Sequence, residues 1–89
     1  MAINQAVNPQ LRHELSRAVE LARAGDWPAA HAIVQGKDDP TACWIHAVLH
    51  KIEGDLPNSR YWYRRVERDF GAFPDAHAEL AAIAAALAA

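Results

Sequence analysis

The sequence predicts an all-α fold, with five helices arranged as two helical hairpins and a C-terminal capping helix. The phrase Gly-Asp-x-Pro occurs twice, at residues 25–28 and 54–57, and each copy closes one helix-like stretch and opens the next. All five prolines stand where a helix can begin, since the amides of a first helical turn are unpaired and proline has no amide hydrogen. No stretch alternates between apolar and polar residues as a half-buried strand does. With 89 residues, the chain is expected to form one domain, 1–89.

The first hairpin is predicted over residues 9–35, after an N-terminal tail at 1–8. Its first helix, 9–24, begins at an Asn-Pro pair and carries leucine and alanine every three or four residues, which makes one apolar stripe. Its second helix, 27–35, follows Asp26, whose side chain can accept hydrogen bonds from the free amides of the first turn.

The second hairpin is predicted over residues 40–69. Its helix at 40–53 begins at an Asp-Pro pair, and its stripe consists of alanine, isoleucine, valine and leucine. Its helix at 56–69 follows Asp55, and its stripe ends with Val66 and Phe70.

The last helix is predicted at 74–88 and differs from the others in composition. Only Leu80, Ile83 and Leu87 stand out from a background of alanine. We expect this helix to cap the array, as terminal elements of repeat proteins do. Its alanine-rich face alternatively offers a homodimer contact, because small side chains let a second helix approach closely.

Charge, hydropathy and cysteine content exclude several classes of function. A net charge of -2 gives no field that would attract a polyanion, so no nucleic-acid partner is expected. The apolar segment at the C-terminus is about half as long as a membrane helix, so no membrane partner is expected either. Cys43 is the only cysteine and the N-terminus does not resemble a secretory signal, which predicts a cytoplasmic protein.

Residues 40–66 resemble a tetratricopeptide repeat. They have a small residue at Ala47, the Gly-Asp turn, and then Ser59, Tyr63 and Val66 at spacings of four and three. The same frame fits the first hairpin. This resemblance implies a right-handed array with a concave groove that holds protein or peptide segments. Residues 26–65 also resemble a family of small proteins of unassigned role, which implies that their histidines and aromatic residues form one constellation.

The tetratricopeptide frame gives the leading functional prediction, a non-enzymatic module that binds a protein or peptide. Trp44 falls on the groove surface, where it either anchors a partner or is covered by the N-terminal tail. The predicted partner-binding residues are Arg12, Leu15, Trp44 and Lys51. No nucleophile motif and no phosphate-binding loop is present, so no catalytic residue is predicted.

The alternative prediction is a protein that binds a metal ion or a small ligand, and this alternative includes an enzyme. Cys43, His46, His50 and Glu53 share one stripe of the third helix, and His31 lies on the preceding helix. Thiolate, imidazole and carboxylate are ligand types that zinc, nickel or copper accepts, and zinc is the example we expect.

The same histidines have a structural interpretation. In the tetratricopeptide frame His46 and His50 occupy interior positions, where a neutral imidazole needs a hydrogen-bond partner. The side chains of Tyr63, Asp55 and Ser59 are candidates, together with backbone carbonyl groups. The sequence leaves the structural and the metal-binding interpretations open.

Overall fold

The computed structural model describes residues 8–89, which form five α-helices and no strand. The helices are α1 (Pro9–Arg23), α2 (Trp27–Val34), α3 (Pro40–Glu53), α4 (Leu56–Arg65) and α5 (Ala76–Ala88). The predicted all-α class and the number of helices are therefore confirmed for this part of the chain. The predicted N-terminal tail lies outside the described residues, apart from Asn8. No helix from residue 8 onward is long and apolar enough to cross a membrane.

An asparagine or aspartate caps the N-terminus of every described helix. Each of these side chains accepts a hydrogen bond from an amide in the first turn, which would otherwise have no partner. The capping residues are Asn8, Asp26, Asp39, Asp55 and Asp75. Proline also occupies the first or second position of the first four helices, as the sequence predicts.

The repeated Gly-Asp phrase joins the end of one helix to the start of the next. Gly25 and Gly54 have φ values of 88° and 89°, a left-handed conformation that side chains disfavour. The amide of the following aspartate donates to a carbonyl oxygen five residues back, at 2.8 Å in the first copy and 3.0 Å in the second. The same aspartate then caps the next helix, so the Gly-Asp pair ends one helix and begins the next.

Two predicted helix boundaries differ from the observed ones by two residues or more. The fourth helix ends at Arg65 rather than 69, because Glu67 has a φ of 56° and the amide of Arg68 donates to the Tyr63 carbonyl oxygen at 3.0 Å. The positive φ and this hydrogen bond end the helix in the same way as the two glycine turns, although no glycine is present. The last helix begins at Ala76 rather than 74, because Asp75 is the residue that caps it.

The helices pack as two hairpins covered by α5. The α1 helix packs on α2, α3 packs on α4, and α5 lies against α1 and α3. The side chains at the centre have no exposed surface; they include Leu15, Ile45, Leu49, Leu80 and Ile83. The tetratricopeptide relationship, the right-handed course of the array and the homodimer contact stay predictions.

A buried carboxylate ties α5 to the second hairpin. Glu79 of α5 is 1% exposed, and its Oε1 lies 2.9 Å from Nζ of Lys51 on α3. Its Oε2 accepts from Trp44 Nε1 at 2.9 Å and from the Tyr63 hydroxyl at 2.7 Å. The Lys51 ammonium also donates to the Phe70 carbonyl oxygen at 2.9 Å. The charge on Glu79 is thus paired and fully hydrogen-bonded, which is the condition for keeping a carboxylate in a protein interior.

Candidate metal centre

Three histidines meet between α2 and α3. His46 and His50 are one helical turn apart on α3, so their side chains share one face of that helix. They are 5% and 7% exposed. His31 reaches them from α2 and places its Nε2 atom 3.2 Å from Nε2 of His46. One ligand nitrogen from each of the three rings lies within 4.8 Å of the other two.

Trp27 fixes the position of the His31 ring. The two rings are stacked, with centroids 4.6 Å apart and planes 11° from parallel. Trp27 is itself anchored, because its indole N–H donates to the Leu49 carbonyl oxygen on α3 at 2.6 Å. The start of α2 is thereby fastened to α3, and His31, one turn further along, is directed toward the other histidines.

Trp62 of α4 packs against the His46 ring. These rings are also stacked, with centroids 4.1 Å apart and an interplanar angle of 18°. The guanidinium of Arg65 lies 5.0 Å from the Trp62 ring centroid, which is a cation–π distance. The His46 ring, carried by α3, is therefore held between His31 of α2 and Trp62 of α4.

Glu53 orients the His50 ring. Nδ1 of His50 lies 2.8 Å from Oε1 of Glu53, so Nδ1–H donates to the carboxylate. This bond leaves Nε2 without a hydrogen, so Nε2 can accept a hydrogen bond or bind an ion. The Asn58 amide nitrogen of α4 lies 3.4 Å from that Nε2 atom and is also 3.4 Å from an oxygen of Asp55.

The surroundings favour neutral imidazoles. Burial, followed by the neighbouring His50 and His31 rings, lowers the pKa of His46 to about 4. Burial also lowers the pKa of His31, and His50 adds to that effect. Nδ1 of His46 is buried and has no hydrogen-bond partner. A proton on Nδ1 has no acceptor there, either in an imidazolium or in a neutral ring that binds an ion through Nε2; neutral imidazoles are the form that binds metal ions.

The spacing of the nitrogens fits a tetrahedral metal ion. Two imidazole ligands of tetrahedral zinc, each bound at about 2.0–2.1 Å, lie roughly 3.3 Å apart. His31 Nε2 and His46 Nε2 are 3.2 Å apart. The His50 nitrogen lies within 4.8 Å of both, so an adjustment of at most about 1.5 Å completes the triangle. Three imidazoles suit zinc, copper, nickel or cobalt, and they do not suit the oxygen-seeking magnesium or calcium ions.

The structure separates Cys43 from the other residues of the predicted stripe. Its thiol is buried and lies 3.7 Å from the Lys37 carbonyl oxygen, to which it donates. Burial raises the pKa of this thiol, which disfavours the thiolate that a metal would need. Among residues 8–89, the structure does not bring Cys43 together with His31, His46 and His50, as the predicted ligand set would require.

The predicted interior position of His46 and His50 is confirmed, but none of the three candidate side chains, Tyr63, Asp55 and Ser59, is hydrogen-bonded to them. The Tyr63 hydroxyl donates to Glu79 instead, and the Ser59 hydroxyl donates to the Ala47 carbonyl oxygen at 2.7 Å. The histidines instead contact His31, Glu53 and Asn58.

The predicted partner groove does not lie open at its central residue. Trp44 is 6% exposed, because Glu79 accepts its indole N–H and the Arg68 guanidinium lies 3.5 Å from its ring centroid. Lys51 is directed into the Glu79 site, and Leu15 has no exposed surface. Arg12 is the exception among the four predicted groove residues. Its side chain is partly exposed, and no residue from 8 onward forms a hydrogen bond or ion pair with it.

Sequence reasoning missed Glu79 and Asn58. Glu79 stands four residues before Ile83, so the helical period already placed it on the buried stripe of α5. Trp62 lies in the stretch whose histidines and aromatic residues were expected to form one constellation, and its ring stacks on His46. Asn58 gave no signal in the sequence, because its role depends on how α4 returns alongside α3.

No family model, curated protein or solved structure matches this chain. The assignment of a function therefore rests on the geometry of the site itself.

Proposed function

We propose that this protein binds one first-row transition-metal ion, with zinc the best fit, through His31, His46 and His50. The observation that carries the proposal is the convergence of three imidazole rings, two of them with Nε2 atoms 3.2 Å apart. His31 and His46 share one hydrogen bond between ring nitrogens, which uses the lone pair of only one of the two rings. A metal ion would use the lone pairs of both rings at once.

The surroundings of the three rings support the same proposal. Histidines that bind metals usually donate their second N–H to a carboxylate or a carbonyl group, which fixes the ring and raises its basicity. Glu53 accepts from His50 Nδ1 in this way and leaves Nε2 for the ion. The stacked Trp27 and Trp62 rings fix the other two ligands, so little side-chain entropy remains to be lost on binding.

Trp44 is buried and the Lys51 ammonium is engaged by Glu79, so these two residues lend the protein-binding prediction little support. Binding of a protein or peptide stays a prediction, as does the cytoplasmic location. The metal proposal depends on neither of them.

Calorimetric titration of the untagged, chelator-treated chain with zinc tests the proposal. We expect one ion per chain and a rise in stability of about 2.7 kcal/mol when free zinc is at one hundred times the dissociation constant. His31→Ala should weaken binding at least about 100-fold, since it removes a ligand, and Glu53→Gln should weaken it about 10-fold, since it removes the carboxylate partner of a ligand. His31 is the ligand to replace because it is less buried than His46 and His50, so the variant is the least disruptive to the fold.

Two exposed residues of α1 provide matched controls. His13→Ala removes a histidine and Glu20→Gln removes a carboxylate, both away from the three-histidine cluster. Both controls should bind zinc as the parent chain does. Equal affinities for His31→Ala and His13→Ala, with both variants folded by circular dichroism, would contradict the proposal.

A further inference from the structure

The three histidines leave one position of a tetrahedral ion without a ligand from their own group. Among residues 8–89, no cysteine, aspartate or glutamate joins His31, His46 and His50 within 4.8 Å. Glu53 is close, but its Oε1 is engaged by His50 Nδ1. Zinc sites with three protein ligands usually hold water or another exogenous ligand at the fourth position, whereas structural zinc sites have four protein ligands.

Asn58 borders the ion that His50 would bind. Its amide nitrogen is 3.4 Å from His50 Nε2, which accepts this long hydrogen bond. An ion bound about 2.0–2.1 Å from Nε2 would replace this hydrogen bond and leave the Asn58 amide next to the ion. The amide nitrogen also lies 3.4 Å from Oδ2 of Asp55, which favours the orientation that presents N–H groups, rather than the carbonyl oxygen, to this region.

Two residues at the edge of the cluster, Asn58 and His31, are partly exposed, whereas His46 and His50 are buried. Three imidazole ligands bring no negative charge to a divalent ion. Glu53 offsets part of that charge through its bond to His50, and the remaining charge favours an anionic fourth ligand. The Asn58 N–H group is a donor suited to an anion and unsuited to a cation.

We infer that the metal ion of the proposed site keeps an exchangeable fourth position, which holds a water or hydroxide ligand or a small anion steadied by the Asn58 amide. This inference rests on the proposed function and adds the chemical class of the ligand that the site accepts.

Azide titration of the cobalt-loaded chain tests the inference, because cobalt replaces zinc and its visible absorption reports on the ligands around it. Azide should change the spectrum of the parent protein in a saturable way. Asn58→Ala should weaken azide binding about three- to tenfold, the effect of one lost hydrogen bond, and should leave cobalt affinity within about twofold. Gln35→Ala, which removes an exposed amide at the end of α2, should behave as the parent chain does.

The outcomes separate the two proposals. If cobalt binds in a His31-dependent way and azide leaves its spectrum unchanged, the exchangeable position is overturned while the metal site stands. If azide changes the spectrum only after Asn58→Ala, Asn58 itself is the fourth ligand. If azide binds equally well with and without the Asn58 amide, Asn58 does not steady the anion. Either result overturns the inference. If cobalt does not bind, the metal site and the inference fail together.

Discussion

Acidification should destabilise the metal-free protein through His46. In the folded chain the pKa of this side chain is about 4, below its ordinary value of 6.5, because the ring is buried and faces His50 and His31. The unfolded chain therefore binds a proton that the folded chain refuses. The contribution of His46 to stability is complete above about pH 6.5 and is lost as the pH falls toward 4.

The size of the effect follows from the two pKa values. Between pH 7.5 and 5, titration of His46 from 6.5 in the unfolded chain against about 4 in the folded chain lowers the free energy of unfolding by about 2 kcal/mol. His46 is only 5% exposed, so solvent screening reduces this figure little. His31, whose pKa is also lowered, adds a contribution in the same direction.

Urea denaturation in the presence of a chelator, repeated from pH 7.5 to pH 5, measures the effect above the range in which most carboxylates titrate. His46→Leu should flatten the pH dependence by about 2 kcal/mol, whatever its effect on absolute stability. The matched control is His13→Leu at an exposed position of α1, which should leave the pH dependence unchanged. A parent protein whose free energy of unfolding stays constant over this range would refute the reasoning.

Three substitutions test other parts of the account by denaturant unfolding. Glu79→Gln leaves the buried ammonium of Lys51 without a counter-charge and should cost about 3–5 kcal/mol; a cost below 1 kcal/mol would contradict the buried pair. Trp27→Phe removes the indole donor to the Leu49 carbonyl oxygen and should cost about 1–3 kcal/mol, together with a loss of zinc affinity; unchanged affinity would mean that Trp27 does not position His31. Glu67→Gly relieves a left-handed backbone and should stabilise by about 1 kcal/mol, whereas destabilisation would show that the Glu67 side chain matters more than its φ.

The fold was predictable because local signals repeat at every helix end. Five Asx caps and two glycines in left-handed turns mark the helix boundaries within the sequence itself. The predicted end of α4 was wrong because no glycine or Asx residue marks the observed end of this helix. Glu67 adopts a conformation that glycine normally supplies, so the residue type concealed the end of the helix.

The candidate site was predictable only in part. Helical spacing placed His46 and His50 on one face, and the hairpin brought His31 near them. Spacing along α3 also placed Cys43 in the predicted ligand set, because the helical period alone does not show which residues of a stripe face α2 and which face elsewhere. The burial of Trp44 by Glu79 depends on the position of α5, a contact 35 residues away along the chain, which no local pattern encodes.

Anomalous diffraction at the zinc absorption edge, from crystals of the untagged chain grown with one equivalent of zinc, tests the central claim most directly. We predict one strong anomalous peak about 2.0–2.1 Å from a nitrogen of each of His31, His46 and His50. A map with no peak at these three residues, in crystals whose zinc is bound elsewhere or absent, would contradict the claim and leave the three histidines as a hydrogen-bonded part of the core.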